Sequence, residues 1–405
     1  MGCVSDSSTL PIVTTEMEVY DLTGAREMLT LEKAKEIAQT IVDNAKTLKR
    51  VVLGTKTYKA DVAKVVADAL SQATELEELD LADTISGLSF DEAQDTCEVF
   101  VDCLKHLHLK YLDLSSNALG PKGVASFKEL ISGNKDLEVL LFNTDGMSAD
   151  ACENIRAMVC EHAPMGIKRL EFHDNMSGNE GAKAIADMLY TLPNLEFFRW
   201  SGARSGEEGS MALCKALTHC PQMRHLEFND NYFGENCGEV LAEAIASMKQ
   251  LKELIIRDLG LGDEGLKPVF DELMKDDRSK LRVLDIGRND ITDESVQLLC
   301  ELLKKEDELE MLALDGSDLV SCDLPLLLET LKSNCPKLSK LSVNGNGLEE
   351  MAVSVVDMCC KKESMERLEL DRNGIPEESL EAIRAMVEKS GKKDLLGSLD
   401  HNEDF

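Results

Sequence analysis

Apolar and polar residues recur along this chain in one frame, L-x-x-L-x-L-x-x-N-x-L. Positions 4 to 6 alternate apolar, polar and apolar, which is typical of a short strand with one buried face. Steps between copies run from 27 to 33 residues, and most are 28. Twelve copies begin at Leu48, Leu76, Leu109, Leu137, Ile167, Leu195, Met223, Leu251, Leu281, Leu309, Leu338 and Met365. Such recurrence predicts one stack of similar units rather than several separate domains.

Each unit is long enough to hold a strand followed by a helix, which is the long class of leucine-rich repeat. Residues 109–114 alternate as a half-buried strand does, and residues 181–190 carry Ala184, Ile185 and Met188 at helical spacing. The pattern therefore predicts an α/β leucine-rich repeat horseshoe, a solenoid like that of ribonuclease inhibitor. Its parallel sheet would line the concave face and its helices the convex face.

The pattern also predicts how the chain is divided. We expect an N-terminal segment with a helical cap at residues 1–46, a solenoid with a C-terminal capping helix at residues 47–390, and a short polar acidic tail at residues 391–405. The N-terminal helix should begin after Thr30 as its N-cap, and the C-terminal helix should cover about 377–389. Caps are expected because an open solenoid end exposes apolar core.

Asparagine fills the ninth position of the frame in half of the copies, where its carboxamide can bond to backbone groups of the turn. These residues are Asn117, Asn175, Asn231, Asn289, Asn346 and Asn373. Other copies carry Thr84, Asp145, Ala203, Leu259 and Ser317 there. We expect the asparagines to form a structural ladder, so that a functional site would lie in the copies that depart from it.

The chain is strongly acidic, with 76 Asp and Glu residues against 44 Lys and Arg and a formal net charge of −32. Such a field repels nucleic acids and anionic membranes, so we expect a protein partner with basic patches. The alternative is that the charge only keeps a long solenoid in solution.

The sequence has no secretory signal pattern and no apolar run long enough for a transmembrane helix, and its 13 cysteines show no C-x-x-C spacing. These features predict a cytoplasmic protein. The start, Met1-Gly2-Cys3, resembles an acylation site, although Asp6 stands where Ser or Thr is usual. Weak lipid anchoring at Gly2 and Cys3 therefore stays open.

One motif suggests a nucleotide-binding loop. Residues 260–265 read G-x-G-x-x-G, but glycines stand at the same place in other copies and so belong to the repeat turn. The sequence holds no phosphate-loop motif, no histidine pair at metal-binding spacing and no evident nucleophile and base pair. We therefore expect no cofactor, no metal site and no independent enzymatic activity.

Acidic residues recur at one slot of the predicted strands, on the side opposite the apolar core. They are Asp80, Asp113, Glu171, Glu227, Asp285 and Glu369. Basic residues at neighbouring slots interrupt this stripe at Arg169, Arg199, His225, Lys340 and Arg367. An acidic stripe on the concave face would attract a basic partner mainly by raising the association rate, and salt would weaken it.

Runs outside the frame carry a resemblance to a known family. The matching stretches are residues 113–120, 171–181 and 228–234, and the runs outside the frame include Phe172-His173-Asp174-Asn175-Met176 and Gly209-Ser210-Met211. Over residues 20–390 the chain resembles the Ran GTPase-activating protein family, most closely the repeat domain of its plant-type members without their N-terminal targeting domain. The resemblance implies a horseshoe that holds Ran in its GTP form and speeds hydrolysis without supplying an arginine finger.

In that family an asparagine after one strand helps to position the glutamine with which the GTPase orients its own catalytic water. By frame alignment this asparagine falls on Thr144, between Asn143 and Asp145. Thr144 lacks the carboxamide that fits a glutamine side chain. Leu88 follows Gly87 where family members commonly have Gly-Arg, whereas Arg204 matches a family arginine.

The leading hypothesis is thus a monomeric activator of a Ran-like GTPase in nucleocytoplasmic transport, with Asn143, Thr144 and Asp145 addressing the nucleotide edge. The residues expected to bind the partner are Asp80, Asp113, Glu171, His173, Asp174, Arg199, Arg204, Glu227 and Asp285. The alternative is a scaffold or GTPase-binding repeat protein that does not activate, consistent with Thr144 and Leu88. An actin-regulatory or immune-receptor-like repeat module is a more distant third hypothesis.

Overall fold

A computed structural model describes residues 17–161 and 166–402. Its main sheet has thirteen strands, all parallel, in the order β1-β3-β5 and then β6 to β15 in sequence, and β2 pairs with β4 separately. The strands are β1 Val19–Asp21, β2 Glu27–Met28, β3 Arg50–Val52, β4 Lys56–Thr57, β5 Glu78–Asp80, β6 Tyr111–Asp113, β7 Val139–Leu141, β8 Arg169–His173, β9 Phe197–Ser201, β10 His225–Glu227, β11 Glu253–Ile255, β12 Val283–Asp285, β13 Met311–Ala313, β14 Lys340–Ser342 and β15 Arg367–Glu369.

Helices follow the strands and cover the other face of the sheet. They are α1 Leu31–Asn44, α2 Ala60–Leu70, α3 Phe90–Leu104, α4 Gly120–Ser126, α5 Lys128–Gly133, α6 Ala149–Glu161, α7 Gly178–Leu189, α8 Glu207–Leu217, α9 Gly238–Ser247, α10 Gly262–Leu273, α11 Asp293–Leu303, α12 Leu324–Ser333, α13 Ala352–Lys361 and α14 Glu377–Ser390. Short 3₁₀ turns lie at Glu235–Cys237, Leu319–Ser321 and Glu349–Met351. The predicted leucine-rich repeat solenoid is confirmed.

The core lies between the sheet and the helices and is built from the apolar frame positions. Successive copies pair in register, so that Leu112 lies opposite Leu140 and Leu140 opposite Leu170, all fully buried. Position 6 adds an aromatic row, in which Phe172 stacks on Phe142 with ring centroids 5.5 Å apart and meets Trp200 edge-on. Identical register in every copy brings residues about 28 positions apart into direct contact.

The N-terminal cap forms as the sequence predicts and adds an unexpected strand. The Thr30 hydroxyl accepts a hydrogen bond from the Lys33 backbone N–H and caps α1, which buries Ala34, Ile37 and Ile41. Strand β1, only three residues long, extends the sheet beyond the first copy. The sequence did not predict it, because the leucine frame begins only at Leu48.

The C-terminal segment differs from the mobile polar tail that its composition suggests. Leu395 is buried, and Leu396 forms a parallel bridge with Leu368 of β15. The Asn402 carboxamide accepts a hydrogen bond from the Ile375 N–H (3.1 Å) and donates one to the Ile375 carbonyl (2.9 Å). Residues 391–402 therefore continue the asparagine ladder by one partial turn and cover the last repeat.

The ladder asparagines tie neighbouring turns together as expected. The Asn289 Nδ2 group donates to the Ile256 and Ile286 carbonyls at 2.7 and 2.9 Å, and its Oδ1 accepts from the Leu259 and Leu261 N–H groups. The copy of β9 has Ala203 at the ladder position, and the Ser205 N–H, two residues further on, donates to Asn231 Oδ1, as the Leu261 N–H does to Asn289 Oδ1.

Three sequence predictions concern ions, membranes and lipids. No cluster of metal-ligating side chains occurs in residues 17–161 and 166–402. None of the helices in these ranges has the length and hydropathy of a bilayer-crossing segment. Gly2 and Cys3 lie outside the described residues.

Candidate functional site

The turn after each strand from β5 to β12 contains at least one non-glycine residue in a left-handed backbone conformation, and these residues line one edge of the horseshoe, which we name the turn rim. Its members are Asp83, Ser116, Ala118, Thr144, Asp174, Arg204, Asp230, Asp258, Arg288 and Asp290. A positive φ is uncommon for residues other than glycine, and least favourable for a β-branched residue. Of these ten, Thr144 alone is β-branched.

The candidate turn after β7 presents Thr144 to solvent. Thr144 has a φ of 59° and is exposed, and its N–H donates to the His173 carbonyl at 2.6 Å. This hydrogen bond fixes the strained residue against the next copy. The hydroxyl of Thr144 can both donate and accept a hydrogen bond at this edge, but it lacks the separate NH₂ and carbonyl groups of a carboxamide.

Asn143 is held from three sides. Its N–H donates to Ser115 Oγ (3.0 Å), its carbonyl accepts from the Ser116 N–H (2.7 Å), and its Nδ2 donates to Glu171 Oε2 (3.1 Å). Its Oδ1 is buried and has no hydrogen-bond partner among the described residues. The carboxamide is therefore anchored through its nitrogen and unpaired at its oxygen.

Asp145 occupies the ladder position of the same copy and is buried there. Its Oδ1 accepts the Asn117 N–H at 2.7 Å, and its own N–H donates to Asn175 Oδ1. Burial raises the pKa of this carboxyl well above its usual range, and nearby Asp113 adds to the effect. A protonated carboxyl has nearly the shape of the carboxamide it replaces, which accounts for an aspartate in an asparagine ladder.

The acidic stripe is less exposed than the sequence predicts. Glu171, Glu227 and Asp285 retain only 2%, 6% and 9% of their accessible surface, so they form the floor of the concave face rather than free charges on it. Strands lie about 4.8 Å apart, so long side chains on adjacent strands cover one another. The pattern of charges along a single strand cannot reveal that neighbouring strands cover these carboxylates.

Ion pairs across the strands neutralise much of this floor. Arg199 joins Glu171 (3.1 Å) to Glu227 (2.8 Å), and Arg169 also binds Glu171 (2.5 Å). His225 lies 3.4 Å from Glu227. These contacts place Arg199, expected to bind the partner, inside a network of the chain's own side chains.

Two further acidic residues of the stripe, Asp80 and Asp113, are half-buried. Burial raises the pKa of Asp80 to about 6, although a hydrogen bond from the Ala82 N–H opposes it. Burial likewise raises the pKa of Asp113, against hydrogen bonds from Ser115. Both carboxyls are thus easier to protonate than free aspartates, and the floor is less negative than a count of residues implies.

Phe197 is a floor residue that the sequence did not single out. Its ring stacks on the His225 imidazole, with the two ring centroids 4.0 Å apart. The guanidinium of Arg169, on β8, lies 4.1 Å from the centroid of the Phe197 ring. The sequence feature that could have identified it is an aromatic residue at a strand position that faces solvent. The stack stiffens the floor next to the network around Arg199.

Next to the candidate turn, the turn rim surrounds an open hollow of about 710 Å³. Asp174 and Arg204 line it, and both are exposed. Asp174 contacts the His173 imidazole at 3.2 Å, and no ion pair of Arg204 is recorded among residues 17–161 and 166–402. Met176 and Tyr232 also line the hollow and are 57% and 66% exposed, but the sequence analysis did not single them out. Large apolar residues at turn positions were the feature that could have identified them.

On the other side of the candidate turn, Leu88 lines a smaller hollow of about 240 Å³ with Phe90 and Ser116. Gly87 before it has a φ of 80°, a conformation that favours glycine. The leucine packs partly against the core. An apolar side chain thus lies at the place where the resemblance implies an arginine.

Unpaired buried polar atoms concentrate at this site. Seven such side-chain atoms occur in the described residues, and four belong to Asn143, Asp145, His173 and Arg199, on three adjacent copies. Buried polar groups are normally paired, so a cluster of unpaired ones is a common feature of functional sites. This cluster brings together the predicted turn and two of the predicted partner-binding residues.

Comparison with known proteins gives a consistent picture. A family model described as "Leucine Rich repeat" matches residues 105–128 and 279–300. "RAN GTPase-activating protein 1" of Arabidopsis thaliana is 32% identical over 123 residues, which are 30% of this chain and 23% of that protein. "RAN GTPase-activating protein 2" of the same plant is 31% identical over 139 residues, 34% of this chain and 25% of that protein. The matches confirm the resemblance, and they span about a quarter of the relatives' length.

Among solved structures, the yeast complex of Rad7 and Elc1 contains a chain that superposes with a TM-score of 0.50 at 14% identity. The superposition covers 87% of this chain and 86% of that one. At this identity the likeness concerns the fold alone, and it agrees with a leucine-rich repeat solenoid.

Proposed function

This chain is a leucine-rich repeat protein related to Ran GTPase-activating proteins, and we propose that it activates a Ran-like small GTPase in its GTP form. It would act as a regulator, with the GTPase supplying the active site. We further propose that it acts in the cytoplasm or at the nuclear envelope, in nucleocytoplasmic transport, and as a monomer. Sequence similarity to proteins named as Ran GTPase activators supports the central proposal.

The observation that carries the proposal is the unpaired cluster at the candidate turn. Asn143 Oδ1 and Thr144 lie side by side where the resemblance places the asparagine that positions the glutamine of the GTPase. Phosphoryl transfer to water depends on positioning and charge stabilisation, so one well-placed carboxamide can matter greatly. The turn keeps the register of its neighbours, and we propose that Asn143 serves in place of the missing residue from the position directly before Thr144.

The partner surface proposed here centres on the exposed residues of the turn rim, Asp174 and Arg204, together with His173. Asp80 and Asp113 in the floor would add negative potential for a basic partner. The more deeply buried acids, Glu171, Glu227 and Asp285, are assigned no direct partner contact, because their own neighbours cover them.

Single-turnover GTP hydrolysis by Ran, with this protein in catalytic amounts, tests the proposal. We expect a rate far above the intrinsic one, since activators of Ras-type GTPases gain about 10⁵-fold. An unchanged rate would falsify activation. Thr144→Asn should raise the rate further, because it restores a carboxamide at the exposed position, whereas Thr144→Gly relieves the same backbone strain without an amide and should not.

The alternative function is a scaffold that binds the GTPase without activating it, which Thr144 and Leu88 favour. In that case the unaltered protein should retain GTP-loaded Ran on a column in preference to GDP-loaded Ran, while hydrolysis stays at the intrinsic rate. Thr144→Asn should then create activity with little change in retention. Absence of retention in both nucleotide states would contradict both functions.

A further inference from the structure

We infer that Glu171 is a positioning residue that sets the orientation of the Asn143 carboxamide, a role that rests on the proposed function and deepens it. Glu171 belongs to β8, one copy beyond the candidate turn. Only 2% of its surface is accessible, so it cannot itself make an extensive contact with a partner. Its effect on the GTPase must therefore pass through a neighbour.

That neighbour is Asn143. Glu171 Oε2 accepts a hydrogen bond from Asn143 Nδ2 at 3.1 Å across two adjacent strands. A carboxylate has only acceptor atoms, so it selects the amide nitrogen and turns the amide oxygen away from itself. Without Glu171, nothing on this side of Asn143 would favour the amide nitrogen over the amide oxygen.

The position of Glu171 is itself fixed by charge. Arg169 Nε donates to Oε1 at 2.5 Å, and Arg199 Nη1 donates to Oε2 at 3.1 Å. Arg199 is in turn held by Glu227 at 2.8 Å. Charge-assisted hydrogen bonds on both oxygens leave the carboxylate little freedom to rotate, so it is a rigid reference point for the turn.

The outcome is an amide oxygen without a partner. Asn143 Oδ1 is buried and unpaired among the described residues, and such an atom lowers the stability of the free protein. Asn143 as a whole is only half-buried, so a small movement of its side chain on binding would bring this oxygen within reach of a donor from a bound GTPase, the NH₂ group of its catalytic glutamine. Glu171 thus keeps the acceptor end of Asn143 available for a donor that arrives only in the complex.

Asp315 provides a matched control far along the solenoid. Its Oδ2 pairs with Arg257 at 2.8 Å, and its Oδ1 accepts hydrogen bonds from Ser342 Oγ (2.7 Å) and the Asn344 N–H (2.9 Å). Like Glu171, it is a carboxylate that an arginine fixes and that bonds to an asparagine of an adjacent copy, here through the backbone N–H of Asn344. Asp315 lies six copies from the candidate turn.

The test measures kcat and KM for Ran hydrolysis with the full chain carrying Glu171→Ala, Glu171→Gln, Asn143→Ala or Asp315→Ala. Glu171→Ala should lower kcat by about tenfold, a typical cost of misplacing a group by a fraction of an ångström, and change KM by less than about threefold. Glu171→Gln, which can still accept from Asn143, should recover most of the loss. Asp315→Ala should destabilise the fold without changing kcat.

A double-mutant cycle separates positioning from other roles. If Glu171 acts through Asn143, the double variant should be no slower than Asn143→Ala alone. Additive losses, or equal kcat for Glu171→Ala and Asp315→Ala, would overturn the positioning role while leaving activation intact. No acceleration by the unaltered chain would refute the proposed function and this role with it.

Discussion

At the scale of single residues, burial and ion pairing shift neighbouring floor carboxyls in opposite directions. Burial raises the pKa of Asp285 to about 6, and Arg257 only partly offsets this. Burial also acts on Glu227, but hydrogen bonds from His225 and Arg199 outweigh it and lower the pKa of that carboxyl. The number and closeness of cationic partners, rather than burial alone, decide which acid stays charged.

The raised pKa of Asp285 makes stability depend on pH. The stabilisation is fully present below about 4, the unfolded value, and is lost as pH rises through about 6. Asp285→Asn cannot ionise and can still accept the Gly287 N–H. It should therefore be more stable than the unaltered protein at pH 8, by on the order of 2 kcal/mol, and nearly equal at pH 4.

Urea denaturation at pH 4, 6 and 8 would measure this difference. Glu227→Gln is the control with the opposite expected effect. His225 and Arg199 stabilise the Glu227 carboxylate, so replacing it with a neutral side chain should lower the free energy of unfolding at pH 8. A loss of stability in Asp285→Asn at pH 8 would show that the charged form is favoured in the fold, contrary to this account.

Thr144 and Asn143 show how far sequence reasoning reaches at this scale. Frame alignment located the turn after β7, and one of its residues, Thr144, is exposed at the turn rim. Alignment gave no hint that Asp145 is buried or that Glu171 faces inward. Both facts depend on residues about 28 positions away, on strands that meet only in the folded chain.

At the scale of elements, asparagine side chains tie each repeat turn to its neighbour. Asn289 is fully buried, and its carboxamide serves five backbone groups of two turns. Asn289→Ala leaves these groups unpaired in the interior. We expect a loss of about 3 kcal/mol in the free energy of unfolding, the cost of one or two unsatisfied buried groups.

Thermal or urea unfolding of Asn289→Ala would measure this loss. Asn154→Ala is the control, since Asn154 makes one side-chain hydrogen bond, to the Pro121 carbonyl, in a partly exposed position. It should cost well under half as much. Equal losses would mean that the ladder adds nothing beyond an ordinary side-chain contact.

The element scale also shows that the frame holds in a copy without asparagine. Ala203 stands at the ladder position of that copy, and the Ser205 N–H of the same turn still donates to Asn231 Oδ1. The register of the turn therefore does not depend on an asparagine at the ninth position. The boundaries of α1 and α14 likewise followed from a cap residue and helical spacing, which are local.

At the scale of the whole molecule, stability at each end depends on the last contacts made there. A solenoid copy touches only its neighbours, so damage at one end stays local. Asn402→Ala removes two hydrogen bonds to Ile375. We expect faster hydrogen exchange in residues 365–402, with little change in residues 48–140.

Hydrogen exchange followed by mass spectrometry would test this expectation. Asp400→Ala is the matched control, because Asp400 is exposed and its side chain bonds only to Ser398. Uniformly faster exchange along the chain after Asn402→Ala would contradict nearest-neighbour stability. Unchanged exchange in residues 365–402 would mean that these hydrogen bonds do not hold the C-terminal end.

The sequence by itself determined the horseshoe, its twelve copies and its caps, because each follows from a short-range pattern of leucines, caps and turn residues. Only the tertiary structure decided which polar groups stay free. Stacking the copies placed Glu171 under Asn143 and between two arginines, buried most of the acidic stripe, and left Thr144 and Arg204 exposed. Those relations join residues far apart in sequence, so no periodicity along the chain can contain them.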